Sequence, residues 1–232
     1  MIILTQITKS YHRNPVLKDL DCIFPEPAIT GIIGPNGAGK STLIRIITGF
    51  EAPDRGELRI DGEKADSFAR VKAKISYMPE KSSLYPDYSV TGFLRFYHRA
   101  SGFRNDEVFQ ALGLEKVSRQ KIKHLSKGWH QRLKLYVALA SPRPTAVLDE
   151  PFEGFDPLQM QEIAKLLRKQ NQAGKNFILS IHQLAYAEAI CSHFIFLNQG
   201  CIIARGTLTE LAAAYNTPND LQEIFLQALK KW

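Results

Sequence analysis

The stretch Gly34-Pro35-Asn36-Gly37-Ala38-Gly39-Lys40-Ser41-Thr42 constrains this chain more than any other segment. It fits the pattern G-x-x-x-x-G-K-[ST] in full. Glycines at these positions let successive backbone N–H groups turn inward around an anion, and a helix starting directly afterwards adds partial positive charge. The flanks agree. The apolar run Ala28-Ile29-Thr30-Gly31-Ile32-Ile33 precedes the loop, and Leu43-Ile44-Arg45-Ile46-Ile47 continues from it. A short apolar run of this kind reads as a buried parallel strand feeding a helix. Gly34 to Thr42 is therefore expected to bind nucleotide phosphates. Lys40 is placed to reach the β- and γ-phosphates, and the Ser41 hydroxyl to ligate Mg²⁺.

The rest of the chain supplies the partners such a loop needs. Thr145-Ala146-Val147-Leu148-Asp149-Glu150 is an apolar strand ending in two carboxylates. Asp149 is expected to hold the metal, and Glu150 to orient or deprotonate the attacking water. Phe177-Ile178-Leu179-Ser180-Ile181 is a third strand of the same kind, and His182 follows at its C-terminal end. That end is where open α/β sheets bind ligands, so an imidazole there is positioned for the γ-phosphate. Between these strands, Leu158 to Gln172 carries Ile163, Leu166 and Leu167 at helical spacing, with Asp156-Pro157 as a start and Gly174 as a stop. Strand, helix, strand makes a βαβ unit.

Residues 1–8 alternate imperfectly and read as a strand; Gly56 to Gly62 reads as another, ending in an Asp-Gly turn. The opening region is thus expected to be antiparallel. Residues 81–143 are helix-rich, aromatic and basic without β-runs. They read as a helical subdomain inserted into an α/β core formed by 1–80 and 144–232. Phe194 to Leu197 and Cys201 to Ala204 flank Asn198-Gln199-Gly200 as a hairpin, and Asn219 to Lys230 suits a short amphipathic helix. The expected fold is α/β: a mixed sheet flanked by helices, an antiparallel N-terminal region and the helical insertion.

The formal net charge is +7. Much of it lies in Arg119, Lys121, Lys123, Lys127, Arg132, Lys134 and Arg143, which read mostly as a solvated face. That run alone supports no nucleic-acid partner. Three cysteines, Cys22, Cys191 and Cys201, form no CxxC pair and suit a reducing compartment, as small apolar core residues. No apolar run approaches the roughly 20 residues that span a bilayer, and the N-terminus has no signal-peptide pattern. Any membrane crossing must come from another chain.

The order of motifs resembles the nucleotide-binding subunit of ABC transporters over nearly the whole chain. Leu125-Ser126-Lys127-Gly128-Trp129-His130-Gln131-Arg132-Leu133 looks like that family's signature, Glu153-Gly154-Phe155-Asp156 like its D-loop, and His182 falls on its switch histidine. The resemblance implies that Tyr11 stacks on adenine, and that Ser126 and Gly128 bind the γ-phosphate of ATP held by a second nucleotide-binding subunit. It implies ATP and Mg²⁺ as cofactors, an integral membrane permease as partner, and a place on the cytoplasmic face of the membrane. Two motifs depart from the commonest pattern. Lys127 and Trp129 alter the signature, and Glu80 in Tyr77-Met78-Pro79-Glu80 stands where the family usually has a glutamine. Both variants look similar to exporter-type subunits of the ABC-2 class, with Glu80 as an added metal or water ligand. Two other classes fit the chain less well. A ribosome or DNA-repair ATPase usually carries two cassettes or a long coiled coil; a GTPase switch needs an Asn-Lys-x-Asp motif, which is absent.

Overall fold

The computed structural model describes residues 1–81 and 84–232. Its first elements are strands β1 (Ile2–Tyr11) and β2 (Asn14–Phe24), β3 (Ile29–Ile33) and helix α1 (Lys40–Ile47). Then come β4 (Arg55–Ile60), β5 (Glu63–Lys64), α2 (Phe68–Lys74) and β6 (Ile75–Met78). The helical stretch holds α3 (Val90–Ser101), α4 (Asp106–Ala111), two 3₁₀ turns and α5 (Lys127–Leu139). The remainder is β7 (Thr145–Asp149), α6 (Pro157–Gln172), β8 (Asn176–Ser180), α7 (Leu184–Ile190), β9 (His193–Asn198), β10 (Cys201–Gly206), α8 (Leu208–Tyr215) and α9 (Leu221–Lys231).

Two sheets form among the described residues. One is antiparallel, in the order β2-β1-β4-β5. The other runs β10-β9-β3-β8-β7-β6, parallel except for the antiparallel edge strand β10. In the central strands successive residues serve opposite faces. Phe177 and Leu179 of β8, with Ala146 and Leu148 of β7, face the core under α5 and α6. Ile178 and Val147 face the core that holds α1 and the inner side of the antiparallel sheet. Helix α1 is thus packed between the two sheets, with Leu43, Ile44, Ile46 and Ile47 buried. This sandwich fixes the helix whose N-terminus ends the glycine loop.

The imperfect alternation of residues 1–8 has a physical cause. Gln6 sits at φ 49, and the β1–β2 register shifts between Leu4 and Ile7. A bulge moves the next inward residue on by one, so Ile2, Leu4 and Ile7 are all buried. The strand runs on to Tyr11, past the expected end at residue 8. The same device hides β2 from a period-2 search: Asp19 sits at φ 48, and Leu17 and Leu20 are both buried at a spacing of three.

The solvated-face expectation for the basic run needs one correction. Arg132 and Lys134 are buried, at 7% and 8% exposure. Arg132 donates to Leu112 O and to Glu162, and its guanidinium carbon lies 5.4 Å from the Trp129 ring centroid and 5.7 Å from that of Phe155. Lys134 Nζ donates to Glu80 O at 2.7 Å. Both lie on α5, whose Leu135 and Leu139 share one core with β7 and β8. A helix buried on nearly every side forces its long cations to find partners inside. Of the cysteines, Cys22 is buried, whereas Cys191 and Cys201 are half-buried.

Candidate functional site

The glycine loop spans the C-terminal end of β3 and the start of α1. Gly39, the residue before α1, lies at φ 107, a left-handed conformation with no room for a side chain: a Cβ would meet Leu17 Cδ2 at 2.8 Å. Gly34 is excluded from substitution by packing instead, because a Cβ there would meet Leu197 O at 2.1 Å. Lys40 folds back over the loop and donates to Gly34 O at 2.6 Å and Pro35 O at 3.1 Å. Burial holds its pKa below the usual lysine range, against the opposing pull of Glu150 and Asp149. The result is a desolvated cation held by two carbonyls, poised for an anion that can satisfy it better.

The carboxylates lie at the end of β7, beside β8. Asp149 is 5% exposed and accepts from Ser180 Oγ at 2.5 Å. The same Ser180 Oγ accepts the Glu150 N–H at 2.8 Å. Gln131 Nε2 donates to Glu150 O at 2.8 Å, which ties α5 to this turn. Glu150 adopts φ 50, rare for a residue with a side chain, and the turn aims its carboxyl into the cleft. Glu150 Oε1 is buried without an aligned hydrogen bond, although His182 Nε2 stands 3.1 Å away. Burial first, and the Asp149 charge second, push the Glu150 pKa up to about 7. Burial likewise raises Asp149, and burial with the Lys40 charge lowers His182.

The raised Glu150 pKa has a stability consequence. The folded value of about 7 lies above the 4.5 of the unfolded chain, so stability is lost as pH rises through that interval. Above it the ionised carboxylate costs about 2–3 kcal/mol. Glu150→Gln is expected to raise the nucleotide-free melting temperature by about 5 °C at pH 8 and by about 1 °C at pH 5. Thermal unfolding at both pH values checks this; an equal shift at both would assign the gain to packing instead.

These groups converge on one open cleft of about 440 Å³. Its walls are Tyr11, Val16, Asn36 to Thr42, Glu80, Asp149, Glu150 and His182. Tyr11 ends β1, and its hydroxyl donates to Glu51 Oε2 while Lys9 Nζ lies 5.8 Å from its ring centroid. Gly34 and Pro35 are not part of the wall; they hold Lys40 from behind through their carbonyls. Ser126 and Gly128 lie outside this cleft, at the start of α5. Ser126 caps that helix by accepting the Trp129 N–H, and a Cβ on Gly128 would lie 3.3 Å from Gly154 O.

Sequence reasoning missed Ser180, Gln131 and Val16. Ser180 ends an apolar strand two residues before His182, a signal that was available; Gln131 and Val16 reach the site only through packing. Among the described residues no three His, Cys, Asp or Glu side chains form a metal cage. Mg²⁺ does not require one, since it is held by one or two carboxylates, waters and substrate phosphates. The all-oxygen set of Ser41, Asp149 and Glu80 at the cleft wall fits that kind of site.

A glycine-rich loop on a sandwiched helix, facing a buried Asp149 and a half-buried Glu150, defines the class of P-loop ATPase cassettes. The family model described as "ABC transporter" matches residues 17–153, and the chain belongs to that family. It is 31% identical over 240 residues to the ABC-type transporter ATP-binding protein EcsA of Bacillus subtilis (strain 168), covering 100% of this chain and 97% of that protein. It is 30% identical over 237 residues to the thiamine import ATP-binding protein ThiQ of Vibrio vulnificus (strain YJ016), covering 99% and 100%. Among solved structures, an ATP-binding subunit of an ABC transporter superposes with TM-score 0.89 at 29% identity, covering 99% of each chain. The dimeric cassette MJ0796 bound to ADP and Pi superposes with TM-score 0.79 at 25% identity, covering 89% of this chain and 98% of that one. The chain is an ATPase subunit of this family, which powers transport through a separate membrane component. No helix among the described residues is long and apolar enough to cross a membrane.

Proposed function

We propose that this chain hydrolyses Mg²⁺-ATP in a site shared between two cassettes and drives export through an integral membrane permease. One observation carries the hydrolytic reading: Glu150 Oε1 is a buried acceptor facing the phosphate loop with no aligned donor of its own. Such an oxygen can take a proton from water, and a pKa near 7 suits that task. In this reading Lys40 and the loop amides hold the β- and γ-phosphates, and Tyr11 stacks on adenine. Ser41, Asp149 and Glu80 hold Mg²⁺, which would neutralise developing phosphate charge when bound. His182 faces the γ-phosphate beside Glu150. Ser126 and Gly128 sit outside the cleft at a helix start, which suits an anion presented by another cassette.

Residues 81–143 act in this proposal as a helical subdomain that carries motion to the permease; 1–80 and 144–232 act as the catalytic core. Tyr85 and Tyr88 are 53% and 47% exposed, with ring centroids 5.6 Å apart, and Phe96 lies 5.5 Å from Tyr85. The docking segment proposed here runs from Ser82 to Tyr88; Ser82 and Ser83 lie outside the described residues, and Tyr85 and Tyr88 supply the aromatic pair. The altered signature at Lys127 and the carboxylate at Glu80 support the export reading; a relative named for export, the Nod factor export ATP-binding protein I of Paraburkholderia xenovorans (strain LB400), is 31% identical over 228 residues, much as the import relative is. The subunit is then peripheral on the cytoplasmic face of the membrane.

Affinity purification from membranes tests the partner. The chain is expected to bring down a stoichiometric integral membrane protein, and the Tyr85→Ser, Tyr88→Ser double variant to lose at least about 90% of it, since buried interface aromatics dominate such contacts. Recovery with ribosomes or DNA, and never with a membrane chain, would overturn the transport reading for this chain.

A further inference from the structure

The signature segment carries a cation that the shared-site reading does not use. Lys127 is the first residue of α5, directly after Ser126 and directly before Gly128. Its Nζ lies 2.5 Å from Glu153 Oε1, on the loop that follows the Asp-Glu pair. The aliphatic stem of Lys127 lies flat on Gly154, where a Cβ would meet Lys127 Cγ at 2.8 Å. Gly154 sits at φ 84, so a residue with a side chain is disfavoured there by backbone and by packing alike. The packed stem sets the ammonium beside Glu153, next to the helix start that holds Ser126 and Gly128.

The clasp is weakly held. The Lys127 and Glu153 side chains are 65% and 52% exposed. Exposed ion pairs are worth a factor of about five or less. A triphosphate brings several negative charges, and charge-assisted bonds to phosphate in a site that excludes water are much stronger. No acidic residue lies in the first turn of α5 to compete for the incoming anion. Glu153 alone holds Lys127 back among the described residues, and the Lys127 bond holds its carboxyl below the usual glutamate range.

We infer that Lys127 is a transferable cation: Glu153 holds it in the nucleotide-free chain, and it passes to the γ-phosphate of ATP carried by the opposing cassette when two cassettes close. The inference rests on the shared-site reading and adds a regulated contact to it. Closure then exchanges one exposed ion pair for a phosphate contact in each of two equivalent sites. It also frees Glu153, three residues beyond Glu150, so loading of one site is felt on the catalytic loop of the subunit that supplied the lysine.

The test measures ATP-dependent dimerisation with Mg²⁺-ATP in a Glu150→Gln background, by sedimentation at low and high salt. Lys127→Gln and Lys127→Gly are expected to weaken the dimer at least about tenfold at low salt and to flatten its salt dependence. Glu153→Gln is expected to tighten it about threefold, because the competing carboxylate is gone. Dimers of unchanged strength in both Lys127 variants would overturn the inference. So would a Glu153→Gln variant weakened as much as Lys127→Gln, which would make the clasp a strut that merely positions the loop. Melting temperatures report whether each variant is folded. Gly128→Asp separates the two levels of argument. If it abolishes the dimer while Lys127 variants do not, only this inference fails; if the parent forms no ATP-dependent dimer, or Gly128→Asp leaves it intact, the shared-site reading itself fails.

Discussion

Lys40→Ala is expected to weaken ATP binding at least about 100-fold. Nζ is buried, donates to Gly34 O and Pro35 O, and is held below the usual lysine pKa by desolvation. The phosphates of a bound nucleotide would replace those two carbonyls with charged acceptors. Bonds to charged groups contribute about 1.5–3 kcal/mol each, and two such contacts amount to a factor of 100 or more. Alanine leaves the loop glycines and the start of α1 in place, so the fold is expected to survive. Titration with a fluorescent ATP analogue measures the change. Affinity within a factor of three of the parent would remove Lys40 from the phosphate site. Lys40→Arg is expected to fail nearly as badly, because a planar guanidinium fork does not replace a compact ammonium held by two loop carbonyls.

Glu150→Gln is expected to keep ATP affinity and lose turnover by about 10³-fold, in the range that a positioned general base contributes. The substitution retains shape and Oε1 but removes the basicity that burial and Asp149 have raised. The backbone bonds that hold the turn, from Gln131 and to Ser180, do not involve the lost charge. ATP-bound dimers are expected to accumulate, read by size-exclusion chromatography with light scattering. Single-turnover hydrolysis within tenfold of the parent would assign the proton transfer elsewhere. Retained affinity together with lost turnover separates this residue from Lys40, whose loss acts on binding first.

Much of the site was legible because local pattern and local chemistry agree there. The G-x-x-x-x-G-K-[ST] stretch, an apolar strand before it and a helical run after it all point to one strand-loop-helix unit, and β3 and α1 take that form. The Asp149-Glu150 pair and His182 lie at the C-terminal ends of apolar strands that are parallel neighbours, so the cleft brings them together at the ends of these inner strands. What was not legible depends on residues distant in sequence. β2 was hidden by the bulge at Asp19, which breaks the two-residue period while keeping the inward face. Arg132 and Lys134 read as solvated charge because nothing in their own segment reveals Leu112 O, Glu162 or Glu80 O as partners. Ser180 looked like the end of an apolar strand until β7 was set beside β8.

The glycine loop divides the local determinants from the tertiary ones. The sequence alone carried the expectation of phosphate binding, since glycines that free the backbone, a lysine and a hydroxyl stand at fixed spacing within one short segment. The tertiary structure decided the rest. Packing α1 between two sheets fixes the loop against Leu17 and Leu197. Strand order places Asp149 and Glu150 across from it, and burial rather than sequence raises the Glu150 pKa to about 7. The start of α5 is set apart from the cleft, clasped to the loop beyond Glu150 through Lys127 and Glu153. Desolvation and charge proximity are properties of assembled space, and no spacing along the chain encodes them directly.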